Sequence, residues 1–172
     1  MKNKKWIINV FIWSFILSII FSYTTSVIAN YSNLFITLII IIIVIAIGII
    51  FDMIGTACLT SKEATFHAMS SQKVKGANIG IKLIKNNVRV SSICNDVIGD
   101  ICGIISGGLG AVLAITITSI VHINISVITM IISALISSLT VGGKALFKTI
   151  AIKKADKIVY TISKIIYIFK KK

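Results

Sequence analysis

The chain has 172 residues, of which 56% are hydrophobic and none is proline, and its formal net charge is +13. Soluble domains hold about 45–50% apolar residues, so a mean hydropathy of +1.01 excludes an ordinary soluble core. A basic balance of this size can mark nucleic-acid binding, but here the lysines flank the apolar runs, so the implied partners are the lipid bilayer and its anionic lipids, not nucleic acid.

Segment one runs from about Trp6 to Val27, behind Lys2, Lys4 and Lys5. The small residues of "VIAN" (27–30) offer a possible cleavage site, but the apolar core exceeds the about 7–15 residues of a secretory signal, so a retained span is expected. Segment two, from about Leu34 to Ile54, holds the run "LIIIIIVIAIGII". A polar stretch follows, with Lys62, Lys73, Lys75, Lys82, Lys85 and Arg89. Within it, "GANIGIKLIKNN" (76–87) sets Ile79, Leu83 and Ile84 at helical spacing with lysines opposite, and Asn86-Asn87 reads as a stop. Segment three covers about Ile93 to Val121 and segment four about Val127 to Val141. A basic tail closes the chain, with an apolar stripe of Phe147, Ile150, Ala151, Ile158, Ile162, Ile165, Ile166 and Phe169 between lysines. Such a helix belongs in the headgroup layer.

Each apolar segment approaches the length of about 20 residues that crosses a bilayer. Every Lys and Arg lies before segment one, between segments two and three, or after segment four, and the links "ANYSN" and "HINIS" have none. The positive-inside rule then predicts an all-α, multi-pass protein of the cell membrane with four transmembrane helices, both termini in the cytoplasm. The expected divisions are a transmembrane hairpin (1–59), an amphipathic cytoplasmic belt (60–92), a second hairpin (93–143) and a juxtamembrane tail (144–172). Cys58, Cys94 and Cys102 have no metal-type spacing and read as small buried hydrophobes. His67 and His122 read as ordinary surface residues. No nucleotide loop, zinc signature or nucleophile–base pair is present, so enzymatic activity is not expected.

Five acids stand out against this background. Glu63 and Asp156 lie among lysines and call for no special account. Asp52 ends segment two, and Asp96 and Asp100 open segment three, four residues apart and so on one face of a regular helix. Lys144 returns to the same expected depth. Three arrangements satisfy these charges: headgroup water, an internal pair with Lys144, or a hard divalent cation held by Asp52, Asn95, Asp96 and Asp100, since oxygen-only donors suit Mg²⁺ or Ca²⁺. Gly99, Gly103, Gly107 and Ala111 form a small-residue stripe next to the Asp96/Asp100 face, which predicts close helix packing there. Gly142-Gly143 would serve the same purpose or break segment four.

From about Phe51 to Val159 the chain resembles the transmembrane domain of the CorC/cyclin M magnesium transporter family. "FDMIGTACLTS" (51–61) is similar to the small-residue motif of that family's first helix. "GANIGIKLIKNNVRVSSICNDVIGDI" (76–101) resembles the cytoplasmic helices and the asparagine-rich start of the next span, and "VGGKALFKTIAIKKADKIV" (141–159) the Gly-Glu and Pro-Lys motif with its juxtamembrane helix. The resemblance implies a protein that binds or moves Mg²⁺, with segment one as an extra span, and a homodimer is expected. In place of the family's Ser and Glu positions stand Asp52, Ile54 and Gly55, and Lys144 and Phe147 replace its Glu and Pro. The implied site is therefore rebuilt around aspartates. The other expectation is a non-transporting interaction or regulatory module, with Asp–Lys pairing inside and anionic lipid on the basic tail.

Overall fold

The computed structural model describes residues 2–31 and 33–170, and the side chains of 8–27 and 33–170. The elements are α1 (Lys2–Tyr31), α2 (Leu34–Thr60), α3 (Glu63–Ser71), α4 (Ala77–Lys85), α5 (Asn87–Ser92), α6 (Gly99–Val121), α7 (Ile125–Lys153) and α8 (Ala155–Lys170). A π-helical turn, Ile93–Ile98, joins α5 to α6 without a break. No strand occurs among the described residues.

Four stretches are long and apolar enough to cross a membrane: Ile8–Val27, Leu34–Thr60, Asn87–Val121 and Ile125–Lys153. A helix suits such sequences because it satisfies its own backbone groups, which hydrocarbon cannot do. The boundaries differ from expectation at two places. The third stretch starts at Asn87, so the end of the predicted belt is the first turn of a long helix. The fourth continues through Gly142-Gly143 to Lys153, so the glycine pair makes no break in the helix and the first ten residues of the predicted tail belong to α7.

The chain divides into two compact units. The first comprises residues 1–49 and 97–143. Here α1 packs on α6, and Ile41 and Ile45 of α2 meet Leu109, Leu113 and Ala114 of α6 and Ile128 and Ile132 of α7. The small-residue contact does not fall on the predicted stripe. A side chain at Gly103 or Gly107 would meet open space among the described residues, whereas one at Gly110 would collide with Ile136 of α7. The stripe read from spacing alone is thus out of register with the packed face, because periodicity marks a face without saying which neighbour covers it.

The second unit comprises residues 50–96 and 144–172. Its centre is Phe66 of α3, fully buried, in a cluster with Ala57 and Cys58 of α2, Ile84 of α4, Ala151 of α7 and Ala155 and Val159 of α8. On α4 the predicted face is the buried one, with Ile84 inside and Lys82 and Lys85 exposed. Two glycines let α4 in. Gly76 caps it with φ 89°, and a Cβ there would lie 3.1 Å from the Ser163 carbonyl oxygen of α8. At Gly80 a Cβ would collide with the Phe66 ring. On α8 the buried face is Ala155, Val159 and Ser163, whose hydroxyl donates to the Val159 carbonyl (2.7 Å). The apolar stripe predicted for α8 is a different face, and Ile165, Ile166 and Phe169 on it remain exposed.

Truncating Phe66 removes the ring around which these helices close. Phe66→Ala should destabilise the second unit by about 3–5 kcal/mol, measured by denaturant titration in detergent. Gly80→Ala should also destabilise it, through the clash with that ring.

Candidate functional site

Asp52, Asn95 and Asp96 belong to the second unit and Asp100 to the first. Asn95 and Asp96 lie in the π-helical turn. Hydrogen bonds in a π-turn skip five residues instead of four, so the regular spacing that would stack Asp96 under Asp100 does not hold across it. Asp96 is exposed and accepts a hydrogen bond from Ser92 Oγ (2.7 Å). Asp100 is exposed and Asp52 half-buried. Among the described residues, no group of three His, Cys, Asp or Glu side chains is placed to hold a metal ion together.

Asn95 is the most constrained of the four. Its Nδ2 donates to Ser91 Oγ (3.3 Å), while its buried Oδ1 has no hydrogen-bond partner. The amide oxygen lies where a side chain at Gly55 of α2 would have to stand. Two stretches singled out in the sequence therefore meet, Gly55 from 51–61 and Asn95 from 76–101. The predicted pair with Lys144 is not formed: among the described residues no carboxylate lies within ion-pair distance of it, and the ion pairs of the structure are those of Glu63 with His67 (3.0 Å) and Lys85 (3.7 Å). The hydrogen bond from His67, and then the charge of Lys85, hold the Glu63 carboxyl below its ordinary range. His67 thus has a partner that the sequence reading did not assign.

The carboxylate with the most partners is Asp156, which sequence reasoning passed over. Its Oδ1 accepts hydrogen bonds from Ser61 Oγ (2.6 Å) and the Lys62 N–H (2.9 Å), and its Oδ2 from Thr65 Oγ1 (2.9 Å). The cause lies at the start of α3. Lys62 occupies the N-cap, makes no side-chain cap, and has no acceptor with which to satisfy the helix's first N–H groups. Asp156, in the first turn of α8, accepts from one of them, the N–H of Lys62 itself, and its charge suits the positive end of the α3 dipole. The missing local cap was the sequence signal. Burial pushes the Asp156 carboxyl up, but the hydrogen bonds from Ser61, Lys62 and Thr65, with the Lys62 charge, outweigh it and hold the group below the usual carboxylate range.

The electrostatics of the second unit are one-sided. It holds fifteen of the eighteen Lys and Arg residues of the chain and four of its five acids. Lys85 is the one Lys or Arg in an ion pair among the described residues. The cations of α7, α8 and the turn between them, Lys144, Lys148, Lys153, Lys154, Lys157, Lys164 and Lys170, have no carboxylate within pairing distance there.

Because the folded pKa of Asp156 is lowered, its stabilisation is full above the unfolded carboxylate pKa and is lost as the pH falls through the folded value, below about 4. Asp156→Asn should weaken the α3 start by about 2 kcal/mol, read as roughly 30-fold faster amide hydrogen exchange over 63–71, and should abolish the acid-dependent part of that exchange. No protein-family model, curated protein or solved structure matches the chain.

Proposed function

We propose that the chain is a multi-pass membrane protein with both termini on the cytoplasmic side, and that it acts as a membrane interaction module. Its second unit is a basic helical belt that engages the anionic leaflet. The observation that carries this reading is the uncompensated charge: fifteen cations in one unit, with a single lysine ion-paired among the described residues. Unpaired like charges in a compact body repel, and an anionic membrane surface relieves that repulsion, by about 1 kcal/mol per Lys or Arg near it. The uncovered apolar stripe of α8, with Ile165, Ile166 and Phe169, fits the same surface, since an amphipathic helix in the interface buries its apolar face among acyl chains. Sidedness follows from the confinement of basic residues to the start of the chain, the 62–89 stretch and the end.

A second reading, hard-cation binding of the kind the magnesium-transporter resemblance implies, is favoured by one observation, the buried Asn95 Oδ1 without a donor. It would use Asp52, Asn95, Asp96 and Asp100, with Mg²⁺ as ligand or cargo. A buried oxygen that accepts nothing is a free ligand for a cation.

The thermal midpoint of the protein should be higher in nanodiscs containing anionic lipid than in zwitterionic ones, and the gain should shrink in about 1 M salt, where the Debye length is about 3 Å. Equal midpoints would overturn the belt reading. Single cysteines placed at Asn33 and Lys75 should label from opposite sides of the membrane. The cation reading expects saturable Mg²⁺ heat in calorimetry that disappears in Asp96→Asn/Asp100→Asn, and a folded wild type without such heat would remove it.

A further inference from the structure

Two hollows meet where α7 turns into α8, both inside the second unit. The first, about 390 Å³, is ringed by charged and polar side chains, Thr60, Lys62, Lys153, Lys154, Asp156 and Lys157, with Ile152 and Ala155 between them. Its one carboxylate, Asp156, is already engaged by Ser61, Lys62 N–H and Thr65. None of its four lysines has an ion-pair partner among the described residues. The second hollow, about 370 Å³, is apolar: Ile50, Met53 and Ile54 of α2 face Ile150 of α7 and Ile158 and Ile162 of α8, and Thr161 stands at its edge. The two share Lys154 and Lys157.

We infer that the paired hollows form one binding site for an anionic glycerophospholipid. The phosphate sits at Lys154 and Lys157, the head group reaches toward Lys62 and Lys153, and one acyl chain lies along the isoleucines. This deepens the proposed function and rests on it, replacing a diffuse electrostatic surface by a defined lipid site. Three features select the occupant. The cationic hollow asks for an anion, and four lysines around one engaged carboxylate favour a head group with more than a single negative charge. The apolar hollow, with no polar side chain but its rim, asks for a hydrocarbon chain. Part of its wall comes from the ends of two membrane-length helices, Leu34–Thr60 and Ile125–Lys153, and the rest from α8, which favours an occupant drawn from the acyl chains of a bilayer. A soluble phosphate would use the first hollow and leave the second unfilled. Lysines at the boundary bury their methylene stems beside the chain and keep the ammonium at the phosphate.

The test uses the full chain in mild detergent, titrated with dioleoyl phosphatidic acid, phosphatidylglycerol or phosphatidylcholine and read by native mass spectrometry. A one-lipid adduct should form with both anionic lipids, phosphatidic acid first, at concentrations where phosphatidylcholine is not retained. Lys154→Ala/Lys157→Ala should lower that occupancy about tenfold or more, while Lys73→Ala/Lys75→Ala, which removes the same charge elsewhere on the unit, should leave it. Thr161→Trp, at an exposed position on the apolar hollow, should block the lipid without removing a charge. Equal losses in both double-lysine variants would overturn the site and leave the diffuse belt standing. No preference for anionic lipid in the wild type would overturn both. Displacement of the lipid by soluble glycerol 3-phosphate at equal concentration would show that the chain contributes nothing, and would overturn the site.

Discussion

Crowded positive charge is the constraint to which the second unit is built. Fifteen basic side chains share a body made of short helices and helix ends, and little inside it offsets them. The apolar centre must therefore hold the helices together against their own field. It does so with one large ring and small neighbours: Phe66 set among Ala57, Cys58, Ala151, Ala155 and Val159. Small residues let the helix axes approach, and Gly76 and Gly80 let α4 lie against α8 and over the ring. The lysines are kept outward, on the faces that α4 and α8 do not bury. The same arrangement that makes the unit closable makes its surface a strong cation.

The first unit works under a different rule. In hydrocarbon there is little hydrophobic drive between helices, so association rests on shape. Gly110 of α6 meeting Ile132 and Ile136 of α7 is such a fit. The many exposed isoleucines and phenylalanines of α1 and α2, Phe11, Phe15, Ile42 and Ile43 among them, are what a lipid-facing surface needs, and would be a liability in water.

Much of the fold could be read from residues alone, and the reason is charge exclusion. Long runs without Lys, Arg, Asp or Glu announce membrane-length helices whatever their packing, and the buried face of α4 followed from the spacing of Leu83 and Ile84. What could not be read depends on neighbours. The α8 stripe was visible, but that Ala155, Val159 and Ser163 form the buried face instead was not, because small residues leave a weak hydropathy signal. The alignment of Asp96 with Asp100 assumed a regular helix, and a π-turn has no composition of its own. Asp156 looked like one acid among lysines because its partners, Ser61, Lys62 and Thr65, lie more than ninety residues away. Of the four candidate residues, Asp52, Asn95, Asp96 and Asp100, Asn95 alone has a buried polar atom without a partner, and it lies against Gly55 in a contact that no local pattern encodes.

The cap of α3 has a consequence for the order in which the protein can be finished. Lys62 waits for an acceptor that is made ninety-four residues later. At about 5–20 residues per second of synthesis, α3 emerges and remains without its cap for roughly 5–20 s. During that interval α2 has already left the ribosome, and the short helices after it carry their lysines with no finished core to hold them. Closure of the belt is thereby tied to the arrival of α8. A chain interrupted before Asp156 would leave the Lys62 N–H and the Ser61 and Thr65 hydroxyls without this acceptor.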